Sequence, residues 1–288
     1  SEMDQPNKVV MRQKIIRLFI FGVIMLSAFA GRVYGATPQD TIRVLAIGNS
    51  FSEDAVENYL YDLAKTDSVV MIIGNMYIGG CSLATHWQNA QNNSNAYSYR
   101  KIAANGVKTT TADVSLQTAI GDEQWDYISL QQVSGESGIY ASYFPVLNNL
   151  KDYVRNLSTN PHMQFLLHLT WAYAQNSTHS SFVNYNNDQM TMYNAIVSAV
   201  YNASGTSGIT RVIPSGTAIQ NGRTSSIGDN FCRDGYHLDL GFGRFTAACT
   251  WYEALTGKKA VDNPYVPQNV TLYQSKVAKI AASYAILK

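Results

Sequence analysis

The chain has 288 residues, 46% of them hydrophobic and 14% charged, with a formal net charge of +1 and three cysteines. That length and apolar content suit one well-buried α/β unit, and the near-neutral charge excludes a basic nucleic-acid surface. Three scattered cysteines, Cys81, Cys232 and Cys249, exclude a disulfide framework or a zinc knuckle and leave room for at most one bridge.

The first segment has the layout of an export leader. Met11, Arg12, Lys14 and Arg17 are followed by the apolar run Leu18 to Ala30, which is short for a membrane span. Small residues offer cleavage after Ala30 or Gly35. Residues 1–35 are therefore expected to be removed, an uncleaved anchor being the alternative, and the remainder becomes slightly acidic. The mature chain is expected to be secreted, periplasmic or at the cell surface, with no stable membrane insertion. Residues 36–288 are expected to form a single domain.

Thr41 to Ile47 is a β-branched apolar run ending at Gly48, which predicts a strand. Asp54 to Ala64 then carries apolar residues at helical spacing. Further strands are predicted over Ser68 to Ile78, Tyr127 to Gln131, Phe165 to Thr170 and Thr210 to Pro214. Helices are predicted over Val146 to Leu157, Met190 to Tyr201, Phe242 to Leu255 and Ser275 to Leu287, with Gly257 stopping the third. Between 88 and 123 the chain turns rich in Asn, Ser, Thr and Tyr, which reads as a loop-rich excursion and a candidate lid or substrate wall. Alternating strands and helices imply an α/β fold with a central parallel sheet covered on both faces. Such sheets bind ligands at the carboxyl ends of their strands, which directs attention to the loops at Gly48, Gly79 and Gln132.

Two of those features carry the elements of nucleophilic acyl transfer: an activated hydroxyl, an imidazole and an orienting carboxylate. Ser50 lies in Gly48-Asn49-Ser50-Phe51-Ser52, directly after the first strand. Asp234 precedes His237 by three residues in Asp234-Gly235-Tyr236-His237, close enough to hold Nδ1 and leave Nε2 free as a base.

The order of these blocks, GNSFS after the first strand, Gly79-Gly80 after the second and DGYH before a late helix, resembles that of SGNH/GDSL hydrolases across residues 41 to 256. The resemblance implies a flavodoxin-like three-layer α/β/α sandwich. It implies Ser50 as nucleophile, His237 as base and Asp234 as its orienter. It also implies an oxyanion hole made by the Ser50 amide, the Gly80 amide (Gly79 being the alternative) and a third donor. The family's Gly-x-Asn block is missing, however, and Gln131 and Gln132 stand there instead. Gln132 is taken as the carboxamide donor, narrowly ahead of Gln131. Asn49 replaces the usual Asp before the nucleophile.

His86, Trp87 and Trp171, with Asn49 and Gln131, are further candidates for substrate contact, the aromatics as stacking surfaces or pocket walls. His162 and His179 fall in polar loops and are expected to be solvated. No His/Asp/Glu cluster has metal-site spacing, so neither metal nor cofactor is expected. The expected function is hydrolysis of small acyl esters, most simply acetyl esters of a carbohydrate, the only expected partner being a small-molecule or glycan ester. A lipase or thioesterase, and an inactive glycan-binding module on the same fold, are the alternatives.

Overall fold

The computed structural model of the chain describes residues 41–286. The leader expected over 1–35 lies outside them. Among the described residues no helix is long and apolar enough to cross a membrane.

β1 (Ile42–Ile47) leads into α1 (Ser50–Val56) and α2 (Leu60–Thr66). β2 (Met71–Tyr77) follows, then α3 (Leu83–Gln91). Next come β3 (Tyr97–Ile102), β4 (Lys108–Val114) and α4 (Leu116–Asp122). β5 (Tyr127–Leu130), α5 (Val146–Leu157), β6 (Gln164–His168), α6 (Gln189–Ser207) and β7 (Arg211–Ile213) continue the alternation. The chain then runs through α7 (Ser215–Arg223), α8 (Phe242–Thr256) and α9 (Leu272–Ile286).

Among the described residues seven strands form one sheet in the order β4-β3-β2-β1-β5-β6-β7. β2, β1, β5, β6 and β7 run parallel, as a doubly wound topology requires. α1, α2, α7, α8 and α9 pack together on one face, and α3, α4 and α5 on the other. α6 lies beside α5, where Lys151 donates to the carbonyl of Ser207. The fold is thus the expected three-layer α/β sandwich. β1 is buried along Val44 to Ile47 because neighbours and helices cover it on every side, which is why it reads as an unbroken apolar run.

Three expectations need correction. Much of the stretch between 88 and 123 is part of the sheet. β3 pairs antiparallel with β2, and β4 with β3, so this stretch widens one edge and supplies no wall to the cavity described below. Its alternating polar residues reflect one-sided burial, and β4, the outermost strand, is exposed along nearly its whole length. The helix predicted over Asp54 to Ala64 is two helices, α1 beginning four residues earlier because the Asn49 side chain caps it by accepting from Phe51 N. α3, α4 and α7 were not anticipated, because their polar sequences lack an apolar stripe. Serine caps mark the first two, with Ser82 Oγ accepting from Thr85 N and Ser115 Oγ from Thr118 N. Cys81, Cys232 and Cys249 are all free thiols.

Candidate active site

The loops after β1, β2, β5 and β6 meet the Asp234–His237 turn around a cavity of about 480 Å³. Ser50 is the first residue of α1, so its amide has no intrahelical acceptor and belongs to the electropositive end of the helix. Its Oγ lies 2.9 Å from His237 Nε2, and His237 Nδ1 lies 2.7 Å from Asp234 Oδ2. The other oxygen of Asp234 accepts from the backbone amides of His237 at 2.8 Å and Tyr236 at 3.1 Å. Burial pushes the Asp234 carboxyl up, but the His237 ring N–H, those two amides and the charge of His237 outweigh it, and the net shift is downward. A charged Asp234 at Nδ1 leaves Nε2 to accept the Ser50 proton. This is the hydrogen-bonded chain that nucleophilic attack by a hydroxyl requires.

A second carboxylate holds the two halves of this chain together. Asp54, one turn beyond Ser50 on α1, is 1% exposed. Its Oδ1 accepts from Arg244 Nε at 2.8 Å and Arg233 Nη1 at 3.2 Å, while Oδ2 accepts from Leu238 N at 2.8 Å. Arg233 N also donates to the His237 carbonyl at 2.9 Å. The serine helix and the histidine turn are therefore clamped to one buried charge.

Asn49 braces the opposite side. Its Oδ1 accepts from Phe51 N at 2.9 Å and from Gln131 Nε2 at 2.8 Å, and its Nδ2 donates to the Cys81 carbonyl at 3.1 Å. One carboxamide thus ties the loop carrying Ser50 to the loop carrying Gly80. Because Asn49 presents oxygen to Gln131, Gln131 Oε1 faces His168 Nδ1, 3.1 Å away, and that nitrogen carries the proton. His168 Nε2 then accepts from Ser215 Oγ at 2.8 Å and Trp251 Nε1 at 3.3 Å. Burial lowers the His168 pKa to about 3, consistent with a neutral ring. At position 48 a Cβ would come within 2.8 Å of Gln131 Oε1 and 2.7 Å of Ser52 Oγ, so a larger residue would displace both of these side chains.

The expected carboxamide donor is not in the cavity. Gln132 Oε1 accepts from Leu83 N at 2.9 Å and Val133 N at 2.8 Å, and its Nε2 donates to Ser142 O at 3.0 Å and Oγ at 3.1 Å. All its hydrogen-bonding capacity goes into stapling the start of α3 to the loop after β5, so nothing remains for an oxyanion. Gln131, the other candidate, lies behind Asn49. The amides of Ser50 and Gly80 do belong to residues lining the cavity. Gly80 has φ +65 with nothing within 4 Å of a Cβ, so backbone conformation rather than space demands glycine there.

The aromatic candidates are redistributed as well. Trp171 is fully buried, stacked on Phe51 with centroids 4.4 Å apart, and donates to the Tyr236 carbonyl at 2.8 Å. It supports the site from beneath and presents no face to a ligand. His86 is buried against Tyr97, 2.8 Å from its hydroxyl, and its pKa falls to about 4 through burial. Trp87 packs on Tyr153. None of the three lines the cavity; Tyr77, Tyr236 and His179 do. His179 was expected in solvent, yet the loop after β6 folds it against Tyr236. Among the described residues no group of three or more His, Cys, Asp or Glu side chains converges to hold a metal ion.

Residues 43–285 match the family described as a domain of unknown function, DUF4886. The chain belongs to the DUF4886 family. It is 54% identical to a DUF4886 family protein from Bacteroides uniformis ATCC 8492, with a TM-score of 0.85 over 86% of this chain and 95% of that one. Two remote neighbours of this DUF4886 chain share the fold alone. A protein from Slackia heliotrinireducens assigned to the SGNH hydrolases is 20% identical, with a TM-score of 0.50 over 75% of this chain and 99% of that one. A catalytic mutant of an acetylxylan esterase from Geobacillus stearothermophilus is 10% identical, with a TM-score of 0.51 over 76% and 96%. Comparison with curated proteins finds no match. The sheet and helix layers of this DUF4886 chain are accordingly those of SGNH-type hydrolases.

Proposed function

We propose that this DUF4886 protein is an exported serine esterase that removes small acyl groups, acetyl in the simplest case, from carbohydrate esters. The observation that carries the proposal is the unbroken chain Ser50 Oγ, His237 Nε2, His237 Nδ1, Asp234 at 2.9 and 2.7 Å, seated at the strand ends where open α/β sheets hold ligands. Ser50 Oγ attacks the ester carbonyl as its proton passes to His237 Nε2. The oxyanion develops beside the Ser50 and Gly80 amides. Collapse breaks the bond to the alcohol oxygen, which leaves with the proton from His237. Water then enters, gives a proton to His237 and attacks the acyl-Ser50 carbonyl. Collapse releases the carboxylic acid and returns the proton to Ser50.

Polar side chains around the cavity, Ser134, Glu136, His179 and Ser181, favour a hydrophilic ester over a long acyl chain. Tyr77 and Tyr236 line the cavity and are of the residue type on which sugar rings stack, and acetylxylan esterase activity is among the chemistries this fold hosts. The test is hydrolysis of p-nitrophenyl acetate by wild type, Ser50→Ala and His237→Ala, with a fluorophosphonate label mapped by mass spectrometry. The wild type is expected to hydrolyse and to carry the label on Ser50, and each variant to lose about a thousandfold or more in kcat. Full activity in Ser50→Ala would sink the mechanism.

A further inference from the structure

The cavity has a one-sided charge. Glu136 lines it, Asp234 stands behind His237, and no lysine or arginine is among its lining residues. Glu136 is exposed, and among the described residues its carboxylate enters no ion pair. It follows the buried Ser134 and Gly135 in the loop after β5, where Ser134 Oγ is fixed to Tyr173 Oη at 2.8 Å.

The loop after β6 brings a hydrogen-bond donor to the same cavity. His179 Nδ1 accepts from Ser181 N at 3.1 Å, so the proton of the neutral ring sits on Nε2. The ring is packed against Tyr173 and Tyr236, each with centroids 4.7 Å away, and Tyr236 in turn lies 4.2 Å from the His237 ring. Burial, then the neighbouring charge of His237, holds the His179 pKa below its ordinary value against the opposing pull of Asp234. His179 is therefore an oriented neutral donor separated from the triad histidine by one tyrosine ring.

We propose that Glu136 and His179 form the subsite for the alcohol portion of the ester, and that this subsite selects an uncharged, hydroxyl-bearing alcohol over an anionic one. The proposal rests on the esterase reading above. A hydroxyl both donates and accepts, so it satisfies a carboxylate acceptor and an imidazole N–H donor placed in one cavity. A substrate carboxylate or phosphate meets Glu136 with no cation among the lining residues to offset it, a repulsion that solvent around the exposed carboxylate moderates and added salt screens. Polyols and neutral sugars fit this wall; uronates and phosphorylated carriers do not.

The experiment measures kcat/KM on a matched pair, an O-acetylated methyl glucoside and the corresponding O-acetylated methyl glucuronate, for wild type, Glu136→Gln, Glu136→Lys, His179→Ala and His179→Gln. Wild type is expected to prefer the neutral ester by about tenfold at low ionic strength, with the preference shrinking as salt is added. Glu136→Gln should cut the ratio to about threefold or less, and Glu136→Lys should invert it. His179→Ala should raise KM for the neutral ester, and His179→Gln, which restores an N–H donor, should recover part of the loss. A ratio identical in wild type and Glu136→Lys, with Ser50 still labelled by fluorophosphonate, would overturn the subsite while leaving the esterase standing. A wild type that neither hydrolyses any ester nor labels at Ser50 would bring down both.

Discussion

At the scale of single residues, the site depends on where carboxamides send their hydrogen bonds. Asn49 sets the spacing between the two loops that carry the Ser50 and Gly80 amides, and Gln131 holds Asn49 in place from behind. Gln131→Ala is expected to lower kcat about tenfold with little change in KM, because it disturbs loops that bear on the transition state more than on bound substrate. Steady-state kinetics together with a thermal melt separate this from simple unfolding. Rescue by Gln131→Glu is not expected, since a carboxylate would present oxygen to Asn49 Oδ1 and add a buried charge. An unaltered kcat in Gln131→Ala would refute the positioning role.

At the scale of elements, α1 and the Asp234–His237 turn are distant in sequence and joined by a buried ion cluster. Among the described residues Asp54 is the one carboxylate paired with Arg233 and Arg244, so removing it takes away their counter-charge and the acceptor of the Leu238 amide. Asp54→Ala is expected to cost about 1–3 kcal/mol in urea unfolding, chiefly through the unpaired buried Leu238 amide, and to reduce kcat as the Ser50–His237 distance loosens. Asp54→Asn retains an acceptor for Leu238 and is expected to lose less stability. If both variants unfold at the wild-type urea midpoint, the clamp is not structural.

At the scale of the whole molecule, two buried histidines make stability pH-dependent. His168 titrates at about 3 and His86 at about 4 in the folded chain, both lowered from 6.5 by burial. Below pH 6.5 the unfolded chain binds protons that the folded chain refuses, so stability falls as pH drops. Each histidine contributes a slope approaching about 1.4 kcal/mol per pH unit. That slope should appear between pH 6 and 5, above the range where carboxylates titrate, and it ends only as pH passes the folded values. Urea midpoints at pH 7, 6 and 5 check this; a flat profile would mean that the rings are charged or exposed.

The five parallel strands, the helices with an apolar stripe, the Gly-Asn-Ser turn after β1 and the Asp-x-x-His turn before α8 are legible in the sequence, because they depend on apolar period, capping residues and short covalent spacing. What Gln131, Gln132, His86 and Trp171 do follows from the packing of the folded chain. Their partners lie far along the chain, as with Asn49 and Gln131 at a separation of 82 residues, and a carboxamide or an indole fits a core as well as a cavity. The antiparallel edge was hidden for a related reason: β3 is buried on one face only, through Tyr97, Tyr99 and Ile102, and β4 is an exposed edge strand, so their polar residues read as loop until pairing with β2 is known. His179 and Glu136 reached the cavity through loops whose course is set by packing against Tyr173 and Tyr185, and no local pattern records where such a loop will end.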